Sequence, residues 1–141
     1  MKQLYLGILV LFLSSCNQKE AATEKQEEEA FKMYEFSEMA GLMEQFYAEN
    51  NKLKQQIVNG DTLGSFPSYF ASIHTVDLTT ASDRDAFFNE QAQKFIEAEQ
   101  LIFTDSLNRK EHFNAAIDAC IACHQQKCLG PIPRIKKLYI Q

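Results

Sequence analysis

Four of the 141 residues are cysteines and three are histidines. Three of those cysteines and one histidine crowd together as Cys120, Cys123, His124 and Cys128. The run Cys120-Ile121-Ala122-Cys123-His124 sets two thiols three residues apart and follows them at once with an imidazole. In an exported protein this spacing is the attachment signature of haem c: the thiols add to the haem vinyl groups and the imidazole binds the iron. On a helix both sulfurs fall on nearly one face, and His124 projects one step around toward the same flat ligand. Other chemistries compete for these residues. A thioredoxin-like redox pair belongs at the start of a helix that follows a strand, whereas this pair sits near the end of one. Zinc could draw on Cys120, Cys123, His124 and Cys128, although closed zinc sites usually gather ligands from two separate segments. A Cys120–Cys123 disulfide would be cramped within a helix and would leave His124 without a role.

The haem reading needs export, and the amino terminus supplies the pattern for it. Met1-Lys2-Gln3 is followed by an apolar stretch, Leu4 to Leu13, too short to span a bilayer. Leu13-Ser14-Ser15-Cys16 resembles a bacterial lipobox, which implies cleavage before Cys16 and a lipid on that residue; the plain alternative is a secretory signal with an incidental cysteine. Residues 1–15 thus read as a lipoprotein signal peptide. Residues 16–30, rich in glutamate (Glu20, Glu24, Glu27, Glu28, Glu29) and without a large apolar side chain, read as an acidic tether.

The elements that must position the motif are helices. Apolar residues recur at helical spacing from Phe31 to Ile57 (Phe36, Met39/Ala40, Met43, Phe46/Tyr47, Leu53, Ile57), and Asn59-Gly60 is suited to a left-handed cap. Ser65 is expected to cap a short segment with Pro67 in its first turn, running through Tyr69, Phe70 and Ile73. Ser82 and Asp85 form a weak capping box ahead of a stripe through Phe87/Phe88, Phe95, Ala98 and Leu101/Ile102. A break near Asp105-Ser106 precedes a third stripe: Phe113, Ala116/Ile117, Cys120 and Cys123/His124. Gly130-Pro131 is expected to end it. No segment alternates at the strand period, so the expected class is all-α, arranged as a helical bundle.

Helix order and motif together resemble the class II c-type cytochromes, the cytochrome c′ and c556 family, over about Phe31 to Cys128. The resemblance implies a four-helix-bundle-like fold with a shortened second helix over 31–130, one haem c on Cys120 and Cys123, and His124 as axial ligand. It also implies that the first helix supplies the residue facing the other side of the iron, methionine in the c556 type and an apolar blocker in the c′ type. Met43 lies about where that methionine falls relative to the end of the helix; Met39 is the second choice, and Met33 lies nearer the tether. Lys127 and Cys128 stand where the family often has an aromatic residue and an arginine, so this would be a divergent branch.

With 14 basic and 19 acidic residues and a net charge of −5, the chain lacks the basic face that nucleic-acid binding requires. Its positive charge concentrates at the end: Lys127 to Gln141 holds four basic residues and no acid. In this basic tail, 131–141, Arg134, Lys136 or Lys137 could pair with haem propionates or an acidic partner. The favoured expectation is that Ile135, Leu138 and Ile140 pack on the helices. Cys128 is expected to be a small buried hydrophobe, His112 a surface residue near a helix start, and His74 a weaker ligand candidate than the methionines. The function these readings point to is not enzymatic: a lipid-anchored mono-haem cytochrome on the periplasmic side of the cell envelope, passing electrons to a redox partner protein. A homodimer is left open. The alternatives are a five-coordinate haem protein that binds a small gas such as NO, and a zinc-stabilised structural lipoprotein.

Overall fold

A computed structural model describes residues 36–141. The expected signal peptide, the expected lipid attachment at Cys16, the expected tether and Met33 all lie outside the described residues. Of those described, 73% are helical and none forms a strand, so the chain is all-α. No helix among them is long and apolar enough to cross a membrane.

The first helix, α1 (Glu38–Asn59), begins later than the apolar spacing alone suggests. Ser37 is its cap: the backbone there is extended and its Oγ accepts from the Ala40 N–H at 3.2 Å, which satisfies a donor the first turn leaves open. Phe36 therefore stands before the helix, 63% exposed, and is not part of the inward stripe. The buried line runs through Leu42, Phe46, Asn50 and Leu53, with Met39 and Met43 at its edge. The helix stops as expected at Gly60, whose φ of 73° only glycine adopts without strain. Gly60 N–H bonds the Ile57 carbonyl and Asp61 N–H bonds that of Gln56, the paired closure of a Schellman motif.

Beyond it the chain is irregular until a 3-10 helix, Ser68–His74. Pro67, not Ser65, precedes this turn, and no side chain caps it. Its inward residues, Phe70 and Ile73, are buried. The following loop is gathered by Arg84, whose guanidinium donates to the carbonyls of Ile73, His74 and Val76 and lies over the Phe88 ring. Ser82 falls in a second 3-10 turn, Ala81–Asp83, so the expected capping box does not form. Asp85 itself caps α2 (Ala86–Thr104), accepting from Phe88 N–H at 2.8 Å.

The break at Asp105 turns the chain into α3 (Arg109–Lys127), which packs along α2. His112 helps close this turn, its Nε2 lying 2.9 Å from an Asp105 oxygen that also accepts from Asn108. Helix α3 ends at Lys127, before Gly130-Pro131, and Cys128 is exposed rather than buried. The last segment forms a short helix, α4 (Ile132–Ile135), and a 3-10 turn, Lys136–Leu138. Ile135, Leu138 and Ile140 are buried, as the packing expectation requires.

Two apolar clusters result. One joins Leu42, Phe46, Phe70, Phe88 and Phe95, with the Phe46 and Phe95 rings stacked at 5.1 Å. The other joins Leu53, Ile102, Phe113 and Ile117 to the buried residues of the tail. Cys120 packs against both clusters, and Cys123 against the first.

Candidate functional site

The last two turns of α3 carry Cys120, Cys123 and His124, with residues three or four apart stacked on one side of the helix. His124 Nδ1 lies 2.9 Å from the Cys128 carbonyl oxygen. A carbonyl only accepts, so Nδ1 is the donor and Nε2 is the nitrogen left to serve as a ligand. Such a second contact fixes both tautomer and ring orientation, which is how a metal-binding imidazole is usually held. Cys128 thus contributes through its backbone, a role its position at the end of the helix creates and its thiol does not reveal.

All three described cysteines are free thiols. Burial pushes the Cys120 thiol well above its ordinary range, and the nearby Glu99 and Cys123 add to the rise. Cys123 is raised by burial too, offset in part by the Lys127 ammonium. Lys127 is itself drawn toward α2, where it bonds Asp85 and lies 3.6 Å from Asp83. Among the described residues no three histidine, cysteine or acidic side chains converge to hold a metal ion, so the zinc ligands considered above are not assembled.

Between α1, α3 and the C-terminal segment lies a pocket of about 70 Å³, walled by Met43 and Tyr47 on one side, Cys120 and His124 on another, and Arg134 and Leu138 on the third. Met43 and His124 therefore face one space. Met39 does not line it; that residue packs on the first cluster, and its N–H bonds the Asp77 carbonyl at 3.2 Å. His74 is not part of the wall either. A broader, shallow trough beside Phe66, Leu101 and Phe103 contains no cysteine or histidine.

The third wall is a cover. Arg134 grips Glu44 through two bonds of 2.7 and 2.8 Å and stacks over Tyr47 at 3.6 Å. The Arg134 guanidinium holds the Glu44 carboxyl below its usual range. Lys54 donates to the carbonyls of Lys137 and Tyr139, both at 2.9 Å. Asn114 makes a reciprocal pair with the Ile140 backbone at 2.9 and 3.0 Å. Arg134 thus has a partner within the chain.

Behind the pocket sits Glu99 of α2, fully buried, with neither carboxyl oxygen hydrogen-bonded. Burial is the main cause that pushes its pKa up to about 8; Asn50 beside it lowers the value and Glu49 raises it. Asn50 donates its amide to the Phe46 carbonyl at 3.1 Å, and its own Oδ1 is likewise buried without a donor. The sequence did carry a signal for this group: Glu99 follows Phe95 by four residues and precedes Ile102 by three, inside an apolar stripe.

Compared with known protein families, curated proteins and solved structures, the chain finds no match from which a family could be assigned.

Proposed function

We propose that this chain is an exported, lipid-anchored mono-haem c-type cytochrome that carries electrons in the bacterial cell envelope. The observation that carries this reading is the arrangement at the end of α3: free Cys120 and Cys123 on one helix, followed by His124 with Nδ1 tied back to the Cys128 carbonyl. That donor set fits haem c. Cys120 and Cys123 would hold the group through thioethers, His124 Nε2 would bind the iron, and a bound haem would supply reversible one-electron chemistry. Met43 lines the same pocket as His124 and, as a thioether ligand, would favour an electron carrier over the gas-binding alternative, because such a ligand closes the iron to small molecules and favours the reduced state.

The space is the demanding part. About 70 Å³ admits a few water molecules, whereas ligand-sized pockets run to about 300–1,000 Å³. The pocket as it stands is therefore too small for a macrocycle. The raised Cys120 thiol points the same way, since thiolate is the reactive form and a buried thiol reacts slowly.

The chain's affinity to the class II cytochromes, its envelope location and the lipid on Cys16 belong to the same proposal. The test is to produce the full chain in cells equipped for haem c maturation and to stain the denatured protein for haem. A stained band that is lost in Cys120→Ala and Cys123→Ala supports the reading. An unstained wild-type band overturns it.

A further inference from the structure

The pocket between α1, α3 and the C-terminal segment is too small for a macrocycle, and its walls carry a set of ligand atoms that suits something smaller. Cys120 and His124 are four residues apart on α3, so their side chains stand one above the other on one side of the helix. Both border the pocket, and Met43 borders it from α1. A thiol, an imidazole and a thioether thus face one space of about 70 Å³, room for about two water molecules and so for one ion. His124 Nδ1 is taken by the Cys128 carbonyl, which orients the ring and leaves Nε2 as the ligand nitrogen.

The rival holder of a soft metal is the Cys120–Cys123 pair. Cys123 does not border the pocket. The charged groups it feels are Lys127, Asp85 and Asp83, gathered where α2 begins, whereas Cys120 feels Glu99. The two thiols therefore face different surroundings, and the third ligand beside Cys120 and His124 is a methionine. A thioether among the ligands favours Cu(I), a soft ion. Charge favours it too. Cu(I) on one thiolate is electrically neutral, which suits a wall that includes Phe46, Ile117 and Leu138; Zn(II) on the same ligands would leave a positive charge there unpaired. Arg134, also in the wall, is already held by Glu44 through two hydrogen bonds, so that pair adds no net charge.

Independently of the cytochrome reading, we propose that the haem-free chain binds one Cu(I) ion in this pocket through Cys120 Sγ, His124 Nε2 and Met43 Sδ. Binding exchanges the thiol proton for the metal: the S–H bond of Cys120 breaks, a Cu–S bond forms, the proton leaves to solvent, and no oxidation state changes. Burial raises the Cys120 thiol pKa because a bare thiolate is poorly solvated there, and a cation at the sulfur removes that cost. A thioether to haem would use up the same thiol, so copper and haem exclude each other at Cys120.

The experiment titrates the full chain, made in cells without haem c maturation and kept reduced under anaerobic conditions, with Cu(I) against a coloured Cu(I) chelator. One ion should bind per chain, and an equal amount of Zn(II) should not displace it. Cys120→Ser should abolish binding. Met43→Leu, which keeps the side-chain volume, should weaken it by at least the roughly 10–100-fold that loss of an outer-shell contact costs a metal site. Cys123→Ser combined with Cys128→Ser should keep the wild-type affinity. Copper X-ray absorption on selenomethionine-labelled wild type gives a readout that no variant's folding can disturb: a selenium and a nitrogen neighbour beside sulfur. Absence of uptake, displacement by Zn(II), loss of binding in the Cys123/Cys128 variant, wild-type affinity in Met43→Leu, or copper surrounded by sulfur alone would each overturn the proposal. The haem stain on protein from maturation-competent cells judges the cytochrome reading separately, so either can fail while the other stands.

Discussion

Replacing Glu99 by glutamine should remove most of the loss of stability that this protein suffers between mildly acid and mildly alkaline pH. Glu99 is fully buried, and its pKa is pushed from the ordinary 4.5 to about 8 in the folded chain. The sign follows from proton counting. Below 4.5 folded and unfolded chains both hold the proton, and stability does not depend on this group. Between 4.5 and 8 the unfolded chain has released it and the folded chain still keeps it, so each pH unit favours unfolding by about 1.4 kcal/mol. Over the whole window the loss approaches about 5 kcal/mol, comparable with the entire stability of a modest domain. Glutamine has nearly the same shape and carries no proton to lose. Urea unfolding of both proteins, followed by far-UV circular dichroism at a series of pH values, measures the effect. Exposed carboxylates and histidines contribute equally to both curves, so the difference between them isolates Glu99. The two proteins should be similar near pH 4.5, and the variant should be more stable by several kcal/mol near pH 8. Parallel curves would refute the reasoning, because they would mean that water or a donor already reaches the carboxylate.

Three further outcomes are expected. Leu138→Ala should destabilise the protein by about 2–4 kcal/mol through an unfilled core position, whereas Arg134→Ala, which breaks a half-exposed pair, should cost under about 1 kcal/mol; urea midpoints compare them, and the reverse order would show that the cover is held by charge. Met43→Ala in haem-loaded protein should abolish the weak methionine-to-iron band at the red end of the ferric spectrum and open the iron to CO. A wild type that is already high-spin and binds CO as readily would make Met43 a wall residue and favour gas binding. Cys16→Ala should shift the protein out of the membrane fraction or stall its processing, and a wild type that takes up no radioactive fatty acid would rule out the lipid anchor.

The helices were legible because they depend on local pattern. The 3.6-residue apolar spacing marked α1, α2 and α3, and Gly60 marked the end of α1 because a positive φ is needed there. Starts were harder to read. Ser37 and Asp85 are caps, but several serines and aspartates nearby could have served, and which one captures a helix N–H depends on where the preceding chain enters. On the inward face of α1, Phe46 and Leu53 are buried and Met39, Met43, Tyr47 and Ile57 pack against the core as expected, whereas Leu42 and Asn50, which complete the buried line, were not in the expected stripe. At the site, Cys120, Cys123 and His124 are close in sequence and could be found without the fold. The Cys128 carbonyl on His124, the Glu44–Arg134 pair and the Asn50–Glu99 contact span very different sequence separations, and none follows from periodicity. Glu99 lay in plain view on an apolar stripe, where its type conflicts with its position.

That conflict and the closed pocket have one physical origin. An all-apolar junction of α1, α2 and α3 would pack its two clusters into a single core with no reason to open. Here the junction holds Asn50, Glu99 and Cys120, polar or reactive groups that do not gain full stabilisation from burial. The segment over them is fastened at its rim by contacts from Arg134, Lys54, Lys110 and Asn114, and inside by Ile135, Leu138 and Ile140 with Tyr139 packed beside them. The two clusters therefore meet at a junction that is polar on one side and covered by the C-terminal segment on the other.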